Sequence, residues 1–319
     1  MNAAAFALGL LAIGLLGFAN QRGGLCTVQA IEDILRRRDF GRLVALIEAA
    51  LWVAAGLVLL GAVGVRRVMP AAYEATLYTV MGGVLLGIGA VINGACAFGT
   101  IGRIGRGHWA YLTMPLGFFL GCLAMSQWFA PAQLAAHTML TLVPAWVVIA
   151  CVVLIAWRVF VHGRLLRRAG PRPWSRHWSP HAATVCIGLS FLLAFVVLGS
   201  WAYTDSIIGL ARGTIGNVGT QLALIAAIFA GSLVGAWTSG DFRPVVPRAR
   251  NIARCVFGGF LMGAGAFAIP GGSDGLVLVG MPMLWPYAWL GFATMCATVY
   301  VALRLGMRVG NAMSPDGET

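Results

Sequence analysis

The sequence predicts an all-α polytopic membrane protein, and three observations carry that prediction. Apolar runs of roughly 20 residues recur along the chain, each long enough to cross about 30 Å of hydrocarbon as a helix. Of the 319 residues, 60% are hydrophobic and only 10% charged, with mean hydropathy +0.86. A soluble domain carries about 25% charged residues, so this chain lacks the polar surface to face water. The runs are also continuous rather than alternating, which argues against the strands of a β-barrel.

Taken in order, spans are expected at 3–19, 43–64, 75–93, 109–129, 138–158, 181–201, 219–238, 253–269 and 284–303, nine in all. The first run lacks a basic leader and a small-x-small cleavage signal, so it is read as a retained span. All 22 basic residues are Arg, against ten acids. A net charge of +12 can signal nucleic-acid binding, but here the arginines lie between apolar runs and form no aromatic-interleaved patch. The positive-inside rule explains them better. With the N-terminus outside, Arg36–Arg38, Arg42, Arg103, Arg106, six arginines from 158 to 176, four from 243 to 254, Arg304 and Arg308 all fall inside. Arg66, Arg67 and Arg212 remain outside, with Arg22 near the membrane. The expected orientation is therefore periplasmic N-terminus and cytoplasmic C-terminus.

An internal repeat organises these spans. "MGGVLLGIGAVINGACAFG" (81–99) aligns with "FGGFLMGAGAFAIPGGSDG" (257–275) at a constant offset of 176. Gly82, Gly83, Leu85, Gly87, Gly89, Ala90 and Gly99 meet Gly258, Gly259, Leu261, Gly263, Gly265, Ala266 and Gly275. Glycine seams of membrane helices resemble one another, yet seven identities in 19 columns favour duplication. The two copies fall on spans of opposite direction, so the repeat is inverted, as in many transporters. The chain then divides into a first half at 1–137, a connecting helix and basic cytoplasmic loop at 138–180, and a second half at 181–319. The Gly-rich loops are expected to enter from opposite faces and approach each other.

Three stretches could carry chemistry. In "NQRGGLCTVQAIEDILRRRDF" (20–40), Gly23 and Gly24 interrupt the chain and a short helix restarts near Thr27. Cys26 then sits at a helix N-terminus, where free amides and the dipole favour an anion, with Arg22 one side chain away. In "NGACAFGTIGRIGRG" (93–107), Asn93 and Gly94 end a span, Cys96 follows, and a second short element carries Arg103 and Arg106. Irregular backbone at membrane depth survives only when buried in protein or facing a water-filled cavity. In "AIPGGSDGLVL", Gly271, Gly272 and Ser273 offer amides and a hydroxyl to an oxyanion, and Asp274 is a natural N-cap. Cys122, Cys151, Cys186, Cys255 and Cys296 lie in apolar runs and read as core. Glu48 is either an interfacial residue or a buried partner for an arginine. His108 and His137 read as interfacial. No CxxC or nearby His completes a zinc site, no P-loop appears, and neither metal nor cofactor is expected.

At these residues the sequence resembles the YeeE/YedE family of bacterial inner-membrane sulfur-compound transporters. The likeness rests on "RGGLCTVQAIEDILRRRDFGRL" (22–43), "GGVLLGIGAVINGACAFGTIGRIGRGHW" (82–109) and "GGFLMGAGAF" (258–267). It implies an hourglass pore in which thiosulfate passes along thiols, with Cys26 and Cys96 matching two pathway cysteines. The family pattern places a third in the second half, where this loop reads "AIPGGSDG". Ser273 then stands in for it, or the substrate is another sulfur or selenium oxyanion. The expected function is uptake of such an anion along neutral thiols. The alternatives are a membrane-embedded sulfur-transfer or thiol-redox enzyme using Cys96, and a pore for other small solutes. The resemblance also suggests a small cytosolic sulfur-carrier protein as partner for the 158–177 loop.

Overall fold

In the computed structural model the described residues are 2–64, 70–128 and 178–313, with side chains to 306, plus seven helical positions between 146 and 160. Among them, eight helical segments are long and apolar enough to cross a membrane. They overlap the expected spans except 138–158, most of which lies outside the described residues, as do Arg66, Arg67, His137 and all of the basic 158–177 loop but Phe160.

Helix α1 (Ala3–Gly23) ends where Gly24 adopts a left-handed φ of 59° and its N–H closes on Asn20 O. Helix α2 (Thr27–Arg37) restarts at once, and α3 (Gly41–Ala62) returns through the membrane. Helix α4 (Leu77–Asn93) opens on a capping box between Thr76 and Thr79 and stops at Gly94, whose φ is 78°. Short α5 (Ala97–Gly105) follows, then a 3-10 turn and α6 (Met114–Trp128).

The second half repeats the pattern. Helix α7 (Pro180–Leu198) is capped by Ser179, whose hydroxyl accepts Ala182 N–H at 3.2 Å. Short α8 (Tyr203–Arg212) follows, then α9 (Val218–Ser239) capped by Asn217. Helix α10 (Ala249–Ala268) precedes α11 (Ser273–Gly275) with its π-helical continuation Leu276–Gly280, and α12 (Pro286–Met313) closes the chain. Helix α8 was not expected from the sequence: "YTDSIIGLAR" is too short and too polar to read as a span.

The helices pack through small residues, which let backbones approach where lipid supplies no hydrophobic drive. Helix α1 lies against α9 and α7, α4 against α10 and α12, α3 against α7, and α6 against α10. A Cβ on Gly82 would lie 2.6 Å from Gly265 O, and one on Gly89 would lie 2.6 Å from Gly258 O. The offset of 176 sends Gly82 to Gly258 and Gly89 to Gly265, so it exchanges these two contacts. A two-fold relation does this for antiparallel copies.

Span counting then fixes the two faces. Helix α3 leaves the face where α2 ended at Arg37, and α4 returns to it, so residues 38–41 and 94–108 share one arginine-rich face. Arg243 N–H donates to Arg106 O and Val245 N–H to Gly107 O, both at 2.9 Å, which brings the 240–248 loop to that face too. Residues 199–217 and 269–286 belong to the opposite face.

Glu48, left open by its sequence, is 4% exposed and meets His181 Nδ1 at 2.5 Å and the Trp52 indole N–H at 3.4 Å. The pair joins α3 to α7. Glu48→Ala strands both partners, and a stability loss of about 1–3 kcal/mol is expected, read as a lower unfolding midpoint of the purified protein in detergent.

Candidate functional site at the crossing of two glycine hinges

The two hinges meet. Cys26 is the N-cap of α2 and Cys96 the N-cap of α5, both buried. Their sulfurs lie 3.8 Å apart as free thiols, and Thr27 N–H donates to Cys96 Sγ at 3.2 Å. From the other half, Ser273 Oγ accepts the Ala97 N–H at 3.2 Å. The N-termini of two short helices and a hydroxyl from the second half thus converge on one thiol pair. Unpaired amides and helix dipoles make such a junction hospitable to negative charge.

Local chemistry explains the convergence. Gly24 and Gly94 take left-handed conformations that other residues adopt only at a cost. Asn93, fully buried, donates from Nδ2 to Ala95 O at 2.7 Å and to Thr100 Oγ1 at 3.0 Å, so its side chain closes the turn before Cys96. Asn20 Nδ2 donates to Phe98 O at 2.8 Å and ties the first hinge to the second. Gly99 faces Cys26 so closely that a Cβ there would overlap its sulfur. Gly99→Ala is therefore expected to displace Cys26 and lower anion uptake about tenfold or more, equivalent to about 1.4 kcal/mol. Folded yield should change little, since the obstructing atom ends a side chain. Uptake and size-exclusion profiles of the same preparation check both parts.

The sequence-predicted residues are distributed unevenly. Cys26, Cys96, Asn93 and Ser273 surround the junction and Gly24 borders it, while Gly94 shapes the turn before Cys96 and itself faces Tyr111 and Arg254. Gly272 is the N-cap of α11 and packs on Thr204, where a Cβ would clash. Gly271 borders Leu276 and Asp205, away from the thiols. Arg22, in the last turn of α1, donates from Nη2 to Thr238 Oγ1 at 2.8 Å and lies over the Phe18 ring. The cations that line the cleft beside Cys26 are Arg103 and Arg106, with Asn20, Gln21 and Gln29. That cleft measures about 10 Å³, room for no more than one water, so the thiols are closed off from the arginine-rich face. His108, on the same face, is shifted below its ordinary value by burial and by Arg103 and Arg106.

Asp274 does cap a helix, but not its own. Its Oδ2 accepts Thr204 N–H at 3.1 Å and its Oδ1 accepts the Thr204 hydroxyl, so it serves the N-terminus of α8. Sequence distance hid this contact. Cys296, read as core, is half-buried on α12. Among the described residues no group of three metal-ligating side chains occurs.

A helical membrane protein whose broken helices bring glycine hinges from two repeats to one buried centre has the architecture of a transporter. Residues 22–301 match the Sulphur transport family, and the chain belongs to it. It is 29% identical over 330 aligned positions to the thiosulfate transporter TsuA of Escherichia coli K12, covering 92% of each chain. It is 27% identical over 319 positions to TsuA of Spirochaeta thermophila, covering 88% of this chain and 93% of that one.

Proposed function

We propose that this protein takes thiosulfate, or a closely related sulfur oxyanion, across the bacterial inner membrane toward the arginine-rich face. That face is read as cytoplasmic from the placement of the arginines. The division into halves 1–137 and 181–319 belongs to the same reading, with Cys26 and Cys96 forming the constriction between them. The observation that carries the reading is the Ala97–Ser273 contact beside the Cys26–Cys96 pair, which puts sulfur at the meeting point of the two hinges. The relatives named as thiosulfate transporters support the choice of ion.

The chemistry suits a soft dianion. Thiol S–H groups are weak donors, and several weak contacts in series let an ion pass without trapping it. An ionised thiolate would repel the dianion, so the working form is neutral. The candidate for a third thiol in the second half is Cys296, half-buried on α12 rather than in the Ser273 loop. Cys296→Ala is expected to lower uptake about tenfold, the equivalent of one lost contact of about 1.4 kcal/mol. Moving two negative charges against 100 mV costs about 5 kcal/mol, so net uptake needs either a coupled cation or consumption of the ion inside. A small cytosolic sulfur-carrier protein docking at the 158–177 loop would provide the latter.

The test is uptake of labelled thiosulfate, sulfite, sulfate and selenite in a strain lacking its own transporters. Thiosulfate uptake that depends on Cys96 supports the proposal. Uptake of sulfate and selenite with thiosulfate excluded would overturn the choice of ion.

A further inference from the structure

The repeat relation that exposes the thiol pair also exposes its counterpart. Gly99 abuts Cys26, and at the offset of 176 Gly275 abuts Asp205, with a Cβ overlapping the neighbouring side chain in both cases. Cys96 Sγ accepts the N–H of Thr27 at the start of α2, and Asp274 Oδ2 accepts the N–H of Thr204 at the start of α8. Where the first half places two thiols, the second places two carboxylates. Asp274 is consumed by Thr204. Asp205 is engaged only in part: the Gly272 N–H serves its carboxyl, while its Oδ1 is buried with no hydrogen-bond partner.

Asp205 borders a cavity of about 200 Å³ on the face opposite the arginine-rich loops. Arg212 lines the same cavity, held over the Phe267 ring at 4.4 Å and donating to Phe267 O at 3.4 Å, while its Nε is buried and unpaired. Trp285 also lines it, 2% exposed, with an indole N–H that has no acceptor. Tyr73 and Tyr287 complete the polar wall, their rings edge-to-face at 5.5 Å. Buried donors without acceptors are costly unless something visits them.

We propose that this cavity captures the substrate oxyanion on Arg212 and the Trp285 N–H, and that Asp205 admits the anion only as a neutral carboxylic acid. This rests on the anion-uptake reading above. The groups facing Asp205 set the balance: Asp274 from α11, Arg212 from its own helix, Tyr287 from α12, and Tyr73 from the 70–76 segment. Tyr203 precedes Thr204, which holds Asp274, and α6, which carries Cys122, packs against α8. With Asp205 ionised, Arg212 is offset and two carboxylates confront an arriving dianion. With a proton on Oδ1, taken from water on this face, the cavity keeps the Arg212 charge and gains an O–H donor. No other bond is made or broken, and the anion then leaves for the thiol pair.

The purified wild-type protein gives the first test: thiosulfate binding followed by titration calorimetry in buffers of different ionisation enthalpy. Above the carboxyl's pKa about one proton should be taken up per anion bound. Uptake into proteoliposomes at subsaturating thiosulfate should fall toward tenfold per pH unit as this face is made alkaline, a one-proton dependence. Asp205→Asn should flatten that dependence, Asp205→Glu should retain it with a moved midpoint, and Arg212→Gln should raise KM about tenfold or more. Zero proton uptake by the wild type, or an unchanged pH dependence in a folded Asp205→Asn, overturns the inference. Cys96-dependent uptake with neither proton uptake nor pH dependence would overturn it alone and leave the transport reading standing. Absence of thiosulfate uptake at any pH would remove both.

Discussion

Cys96→Ser is expected to fold and yet lose thiosulfate uptake to near background, the largest functional effect of any single-atom change in the protein. Cys96 is fully buried, and its sulfur does two things at once. It accepts the Thr27 N–H at the start of α2, and it faces Cys26 across 3.8 Å. A serine oxygen serves the first role, since hydroxyls are good caps for helix N-terminal amides. It fails the second: oxygen is small and hard, and its O–H binds an anion or water more firmly than S–H does. Cys96→Ala separates the roles in the other direction. It leaves the Thr27 amide without an acceptor in a dry site, which costs about 1–3 kcal/mol, so a lower unfolding midpoint should accompany the lost uptake. A serine variant that transports like the wild type would show Cys96 to be a cap and nothing more, and the thiol pathway would have to be abandoned.

The parts of this arrangement that could be read from the sequence are those encoded locally. Gly24 and Gly94 announce a chain break because few other residues tolerate a left-handed turn there, and a cysteine just after each break must lie at the start of the next helix. The repeat was legible because close helix crossings demand glycine, and the demand recurs at Gly82 and Gly89 and again at Gly258 and Gly265. What could not be read depends on partners far along the chain. Arg22 immediately precedes the first hinge in sequence, but the geometry of α1 turns it to Thr238, and the arginines beside Cys26 come from α5 and the residue after it. Asp274 looks like a cap for its own helix, yet it caps α8, some 70 residues away. Glu48 finds its partner in His181, a residue with no periodic or motif signature. For Asp205 the sequence goes only part of the way: the offset of 176 carries Gly99 to Gly275, but carries Cys26 to Ala202, and only the fold shows that Asp205 is what faces Gly275.

Gly89→Val and Gly258→Val are expected to damage the fold severely, and by similar amounts, because they strike opposite sides of one contact. A Cβ on Gly89 would lie 2.6 Å from Gly258 O and 2.7 Å from Met262 N; one on Gly258 would lie 2.7 Å from Asn93 N and 2.8 Å from Gly89 O. These obstructing atoms are backbone, so no rotamer change relieves them, and valine adds two methyl groups beyond the Cβ. Overpacking a dense core costs about 1–3 kcal/mol where side chains can yield, and the cost here should reach or exceed the upper end. Helices α4 and α10 would have to part, taking with them Asn93, which closes the turn before Cys96. Both variants should therefore lose folded yield and thermal midpoint in detergent, and whatever folds should transport poorly. Because the two positions share one crossing, the double variant should lose less than the sum of the singles. Gly61→Ala on α3 is the matched control: its Cβ meets nothing within 4 Å, so removing a glycine from that helix should be neutral or slightly stabilising. Were Gly89→Val to melt no lower than Gly61→Ala, α4 and α10 could not cross at this distance, and the meeting of the two hinges that depends on their crossing would fail with it.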